Sequence, residues 1–173
     1  MIEIRHIDEA HRQDINIPNE PFSLFGRMLP AYQNGWWSYT VERFPDESVK
    51  KTCFPDENYD YAAMTAEGSI FLGAYDGDKC VGLAILHQYM YLYDLKVSGA
   101  YRGQHIGQKL IERSKEAAIS QNYRGLYTQG QDDDPGACLF YLNNGFYIGG
   151  LDTNVYKHTP QEHKADIFFY TDC

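Results

Sequence analysis

Residues 95–107 read Leu95-Lys96-Val97-Ser98-Gly99-Ala100-Tyr101-Arg102-Gly103-Gln104-His105-Ile106-Gly107. A strand-like run gives way to a glycine-containing turn, and the turn opens a long amphipathic segment. Such a turn aims free backbone N–H groups and the positive end of a helix dipole at one point, where phosphates usually bind. No Gly-Lys-Ser/Thr follows, so this is not a Walker A loop, and the glycine spacing is not the dinucleotide fingerprint either. From spacing alone, a plain strand-to-helix turn explains it about as well.

Working outward, residues 106–121 form the most helical stretch of the chain. Ile106, Leu110, Ile111, Ala117 and Ala118 share one face. Upstream, residues 70–75, 80–88 and 89–97 read as three strands, with Asp76-Gly77 as a hairpin turn between the first two. Residues 125–129 read as a short strand. Residues 135–144 read as a second helix, with Pro135 near its first position and Gly145 as its stop. Residues 146–148, 153–156 and 167–170 read as closing strands. At the other end, residues 2–7 alternate like an edge strand. Phe22, Phe25, Met28 and Leu29 stand at helical spacing before Pro30, which predicts a helix over 22–29. A strand-like run begins at Trp36, a loop with a turn of helix is expected over 44–58, and a short helix over 61–66 ends at Gly68. No repeat or linker interrupts the chain, so one domain over 1–173 is expected. Strands flanking two helices imply an α/β or α+β sheet domain.

Composition narrows the function. The chain has 173 residues, of which 43% are apolar and 23% charged, the mix of a globular protein. Its net charge of -9 opposes sequence-independent nucleic-acid binding and welcomes a cationic partner. No apolar run is long enough for a membrane span, and the start lacks a signal-peptide pattern. The four cysteines show no CxxC spacing, so reduced thiols and a cytoplasmic location are expected.

A second segment carries chemistry: Asp134-Pro135-Gly136-Ala137-Cys138-Leu139-Phe140-Tyr141-Leu142-Asn143-Asn144-Gly145-Phe146. Other groupings have plain explanations. Asp132-Asp133-Asp134 reads as a solvated loop rather than a calcium loop, and His158, His163 and Asp166 as surface groups rather than a zinc site, so no metal is expected. Trp36 and Trp37 point to opposite faces of a strand, so core packing is expected for at least one of them. Cys138 has no base beside it and reads as a small buried thiol.

Taken together, 102–107 resembles the acyl-CoA pyrophosphate loop of the GNAT superfamily of N-acetyltransferases, Arg/Gln-x-x-Gly-x-Gly/Ala. Residues 134–146 resemble that superfamily's later motif, Asn-x-x-Ala-x-x-Phe-Tyr-x-x-x-Gly-Phe. His105 stands where the middle glycine is usual, and Asp134 where asparagine is usual. Within the superfamily the chain is most similar to the streptothricin acetyltransferases. Phe25-Gly26-Arg27-Met28-Leu29-Pro30, Asn34-Gly35-Trp36-Trp37-Ser38-Tyr39, Tyr93-Asp94-Leu95-Lys96-Val97, Asp152-Thr153-Asn154-Val155-Tyr156 and the closing Ala165-Asp166-Ile167-Phe168-Phe169-Tyr170 carry that likeness.

The resemblance implies a GNAT fold, a mostly antiparallel splayed sheet flanked by helices, with acetyl-CoA as co-substrate between splayed strands. It implies cofactor contacts at Arg102, Gly103, Gln104, His105, Ile106, Gly107 and Gln108, at the backbone of Leu95 and Val97, and at Asp134. His105 is expected to be tolerated by having helical backbone. Asp94 is implied as the base, direct or through water, or as the amine anchor. A backbone N–H near Val97 would steady the oxyanion, and Tyr141 would protonate the departing thiolate. Trp37, Tyr39, Asp132 and Asp152 fall on the substrate side. The acceptor implied is the β-lysine amine of streptothricin, a polycation. A polyamine or protein lysine as acceptor, or an acetyl-CoA sensor without turnover, are the alternatives, in a monomer or homodimer.

Overall fold

The computed structural model describes residues 1–173, the side chains of Glu47 and Tyr89 apart. In chain order its strands are β1 (Ile2–His6), β2 (Phe22–Leu24), β3 (Gly26–Gln33), β4 (Trp36–Arg43), β5 (Lys50–Thr52), β6 (Ile70–Asp76), β7 (Lys79–His87), β8 (Tyr91–Val97), β9 (Gly125–Gln131), β10 (Tyr147–Asp152) and β11 (Asp166–Asp172). Its helices are α1 (Tyr61–Ala66), α2 (Ile106–Ser120) and α3 (Pro135–Asn143). The architecture is mixed α/β, with mostly antiparallel strands flanked by helices. The chain forms two compact units, each drawn from separated segments.

The first unit takes Met1–Pro21, Cys53–Leu126 and Cys173. Its strands run in the order β1-β6-β7-β8, each antiparallel to its neighbour. Alternation along β7 sends its side chains to two faces. On one face α2 lies close, because Gly82 has no side chain: a Cβ there would meet Leu110 and Ile106 at 3.2 and 3.3 Å. On the other face Leu83 and Ile85 join Ile7, Ile15 and Phe71, covered by Ile17, Tyr59, Tyr61 and Met64. Each fully buried side chain of this size contributes about 1.5–3 kcal/mol. The register sets Leu83 opposite Lys96 and Ile85 opposite Asp94. Asp94 and Lys96 therefore stand on this second face, beneath the 3₁₀ segment Glu9–Asn16 and the chain leading into α1.

The second unit takes Phe22–Thr52 and Tyr127–Asp172. It holds the hairpin β3–β4, the short pair β2–β5, and the strands β9-β11-β10. Asp134 caps α3 by accepting from Ala137 N–H at 3.1 Å. Gly145, at φ +84°, closes the helix, and its carbonyl accepts from Thr171 Oγ1 at 3.0 Å.

Most of the expected elements are present, and the differences have local causes. No helix covers 22–29: β2 and β3 lie there. Asn34 and Gly35 both take positive φ, the two-residue turn that folds β3 back on β4 over eight paired positions. Pro30 sits inside β3 opposite Tyr39, which a two-stranded ribbon tolerates because both of its strands are edges. Between β6 and β7 the turn residues are Gly77 and Asp78, not Asp76 and Gly77. Asp76 pairs with Lys79, and Gly77 supplies the positive φ. Residues 153–156 are a turn rather than a strand, because Asp152 Oδ1 accepts from the N–H groups of Asn154 and Val155 at 2.7 and 3.0 Å. A 3₁₀ turn over Gln88–Met90, with Met90 at φ +56°, delays the start of β8. Neither tryptophan joins a core: Trp36 is 79% exposed and Trp37 half-buried.

Candidate active site

The turn ahead of α2 lies wholly in the first unit. Arg102 is extended, Gly103 has φ +75°, and His105 has φ +60°, ψ 16°. His105 is thus left-handed, not helical as expected. It adopts the conformation for which glycine is ordinarily used, and histidine is among the few residues that visit it. The result is a concave run of backbone. Among the described residues, no N–H from Gly103 through Gln108 donates to a protein acceptor. Gly103, Gln104, His105 and Gln108 are exposed, while Ile106 is buried and anchors the helix start. Successive N–H groups at a turn and a helix start make an anion cradle.

The Arg102 side chain is spent on the fold. Nε donates to the Val97 carbonyl at 3.0 Å, Nη1 to Pro21 O at 3.0 Å, and Nη2 to Glu20 O at 3.4 Å. Glu20 Oε2 in turn accepts from Gly99 N–H at 2.5 Å. Gln104 and Gln108 donate to Ala100 O and to Glu112 Oε1. The segment before β2 therefore straps the turn in place. Leu95 and Val97 are half-buried on β8.

Asp94 sits in a small polar network on the opposite face of β8. Its Oδ2 accepts from the Tyr59 hydroxyl at 3.1 Å and pairs with Lys96 Nζ at 3.0 Å. Lys96 also pairs with Glu57 Oε2 at 2.8 Å. Burial pushes the Asp94 carboxyl above its ordinary value, and the Lys96 charge only partly pulls it back. Burial opposes the charge on Lys96, yet Asp94 and Glu57 outweigh it and its pKa stands raised. Burial first, then the charges of Asp94 and Glu57, holds the Tyr59 phenol well above its usual range, so it acts as a donor. Beside this network, a cleft of about 370 Å³ is lined by Arg12, Asn16, Asn58, Tyr59 and Asp60, among others.

The second unit holds the remaining expected residues. Tyr141 on α3 is 8% exposed and rests against Phe140, Phe146 and Phe169, ring centroids 5.4–5.6 Å away. Asp134 caps α3, and burial pushes its pKa up against the N–H groups of Ala137 and Gly136. Asp132 is buried and committed: Oδ2 pairs with Arg27 Nε at 3.2 Å and Oδ1 accepts from Ala165 N–H at 2.9 Å. Asp152 caps the turn after β10. Trp37 and Tyr39 share one face of β4, with Tyr32 packed on Trp37 at 5.0 Å. Asp132 and Asp152 thus have structural duties, whereas Tyr39 is 44% exposed. Among the described residues no group of three or more acidic, histidine or cysteine side chains is placed to hold a metal. No helix is long and apolar enough to cross a membrane.

Lys96, Glu57, Tyr59, Asn16 and Asn19 were not singled out from sequence. One signal existed: Asp94 and Lys96 alternate on a strand, which sets opposite charges on one face. The rest depend on contacts some forty residues apart.

The chain is 33% identical over 171 residues to streptothricin acetyltransferase A of Bacillus subtilis (strain 168), covering 96% of this chain and 98% of that protein. It is 31% identical to a streptothricin acetyltransferase of Escherichia coli, over 91% of this chain and 80% of that one. In fold it matches a candidate streptothricin acetyltransferase of Bacillus anthracis str. Ames, crystallised with acetyl coenzyme A, at TM-score 0.86 and 24% identity over 100% of both chains. Residues 29–146 match the model of the acetyltransferase (GNAT) family. With two thirds of its length inside that match and a relative aligned nearly end to end, the chain belongs to the GNAT family of acetyltransferases.

Proposed function

We propose that this enzyme moves an acetyl group from acetyl-CoA to a primary amine of streptothricin. The observation that carries the donor side is the run of unengaged N–H groups from Gly103 to Gln108, which suits a pyrophosphate. The acetyl-CoA held by the Bacillus anthracis protein supports the same donor. On the acceptor side, support comes from the names of the two relatives above and from the net charge of -9, which favours a polycation.

When bound, the thioester supplies the activated acetyl group. The chain's own residues supply orientation and proton handling. Gly103 to Gln108 hold the phosphates. An amine must shed a proton before it can attack, and Asp94 takes that proton, its raised pKa making it a stronger base than an ordinary carboxylate. The Tyr141 hydroxyl gives a proton to the departing thiolate. The Arg102 strap keeps the phosphate turn in register with β8.

A free-thiol release assay tests this reading with acetyl-CoA and, in turn, streptothricin, spermidine and a lysine peptide. Fastest release with streptothricin is the expected result. Faster release with spermidine or the peptide would replace the acceptor. Absence of release with all three would overturn the reading.

A further inference from the structure

The two carboxylate oxygens of Asp94 are used unequally. Oδ2 receives both the Tyr59 hydroxyl at 3.1 Å and the Lys96 ammonium at 3.0 Å. Oδ1 engages no protein group among the described residues. Two donors converging on one oxygen fix the rotation of a short side chain and leave the other oxygen without a protein partner among the described residues. A proton acceptor needs such an uncommitted lone pair.

Both donors are themselves held. Glu57 Oε2 binds Lys96 Nζ at 2.8 Å and also accepts from Asn19 Nδ2 at 2.8 Å. Asn19 further ties the same loop through its own N–H to Asp56 Oδ1 and through Nδ2 to Pro55 O, at 2.7 and 2.8 Å. Asn16 grips the Tyr59 backbone twice, donating to its carbonyl at 3.0 Å and accepting from its N–H at 2.7 Å. Burying Lys96 between two acids is costly unless the geometry is well satisfied, and here both acids bind its ammonium at 2.8 and 3.0 Å while the Tyr59 ring lies 5.9 Å away.

We propose that Lys96, seated by Glu57, is a positioning residue for acetyl transfer: it pins Asp94 Oδ2 and leaves Oδ1 to receive the proton of the acceptor ammonium. The inference rests on the function proposed above. In the step, one N–H bond of the ammonium breaks and the proton bonds to Oδ1. The bonding pair stays on nitrogen as the lone pair that attacks the acetyl carbon. Lys96 and Tyr59 keep their protons throughout, and Asp94 later returns its proton to water. Charged or titratable groups facing Asp94 are Lys96 on its own strand and Glu57 and Tyr59 from the loop ahead of α1. Its cross-strand partner on β7 is the apolar Ile85, and the segment before β2 contributes the uncharged Asn19 through Glu57.

The test is a pH titration of the Asp94 carboxyl ¹³C signal in the full-length protein, alongside the acid limb of kcat/KM. Lys96→Met removes the attractive charge and should move the Asp94 midpoint up by roughly 1–3 pH units. Glu57→Gln removes a repelling charge and should move it down. Lys96→Arg keeps the charge and should leave it near wild type. The acid limb of kcat/KM should follow each shift. A general loosening of the site would not give shifts of opposite sign. An unmoved midpoint in Lys96→Met, shifts of the same sign in both variants, or an acid limb that ignores the shifts would overturn the proposal. If Lys96→Met loses its near-UV dichroism, the sign of the Glu57→Gln shift decides alone. Should the wild type transfer acetyl to no amine, the proposed function fails, a result separable from the carboxyl titration.

Discussion

His105 holds φ +60° and ψ 16° at the entrance of α2, and its exposed side chain makes no capping hydrogen bond. Replacing it with glycine isolates the cost of that backbone shape. An L-residue in the left-handed region costs about 1–2 kcal/mol, a cost that glycine avoids. Against this, glycine widens the unfolded ensemble by about 0.4–1 kcal/mol. The lost imidazole removes no hydrogen bond, so the variant should gain about 0.5–1 kcal/mol, or roughly 1–4 °C in Tm for a chain of this size. Thermal melts of wild type, His105→Gly and His105→Ala measure it. Alanine keeps a Cβ and therefore the strain, so its Tm should stay near wild type. A lower Tm for His105→Gly would refute the claim that the backbone is strained. An equal rise in both variants would refute it differently, by locating the cost in the imidazole.

Tyr141→Phe keeps the ring packed on Phe146 and Phe169 but removes the hydroxyl, and should slow turnover by roughly 10²–10⁴ with folding intact. Wild-type turnover in a folded variant would end the assignment. Asp134→Asn keeps a helix cap of equal quality while removing a charge that burial disfavours, so it should raise Tm at pH 7. The folded pKa of Asp134 is raised, so ionisation costs stability above it and the cost vanishes below the unfolded value of 3.8. The advantage of the variant should therefore fade as melts are taken from pH 7 down through that window, and a constant advantage would contradict the burial argument. Gly26→Ala places a Cβ against the Glu42 carbonyl oxygen in the hairpin and should cost about 1–3 kcal/mol in denaturant unfolding. An unchanged midpoint would show that β3 can shift to make room.

Where a signal is local, the sequence carries it. The periodic face of α2, the Pro135 start and Gly145 stop of α3, and the strand run over β6 to β8 all depend on neighbours within a few residues. Residues 22–29 behave otherwise. Phe22, Phe25, Met28 and Leu29 fit a helical spacing, but Met28 N–H bonds to Asp132 O, a partner more than a hundred residues away. Asn34-Gly35 was the local clue to a hairpin there, and it outweighs the helical spacing. At the candidate site, the turn ahead of α2 and the place of Tyr141 on α3 are legible because glycine spacing and helix starts are short-range features. The Lys96–Glu57 seat is not, since it depends on Asn16 and Asn19 gripping a loop that no pattern in either segment announces.

The interleaved order of segments bears on how the chain is made. Phe22–Thr52 emerges from the ribosome early, yet the rest of its unit, Tyr127–Asp172, follows only after all of Cys53–Leu126. At about 5–20 residues per second, the hairpin waits roughly 4–15 s for those partners. During that interval Trp36, Trp37, Tyr32 and Leu29 are presented by a two-stranded ribbon, which is marginally stable in water at best. The first unit, by contrast, has nearly all of its chain by residue 126 and can close around its own core while the nascent N-terminal hairpin is still waiting.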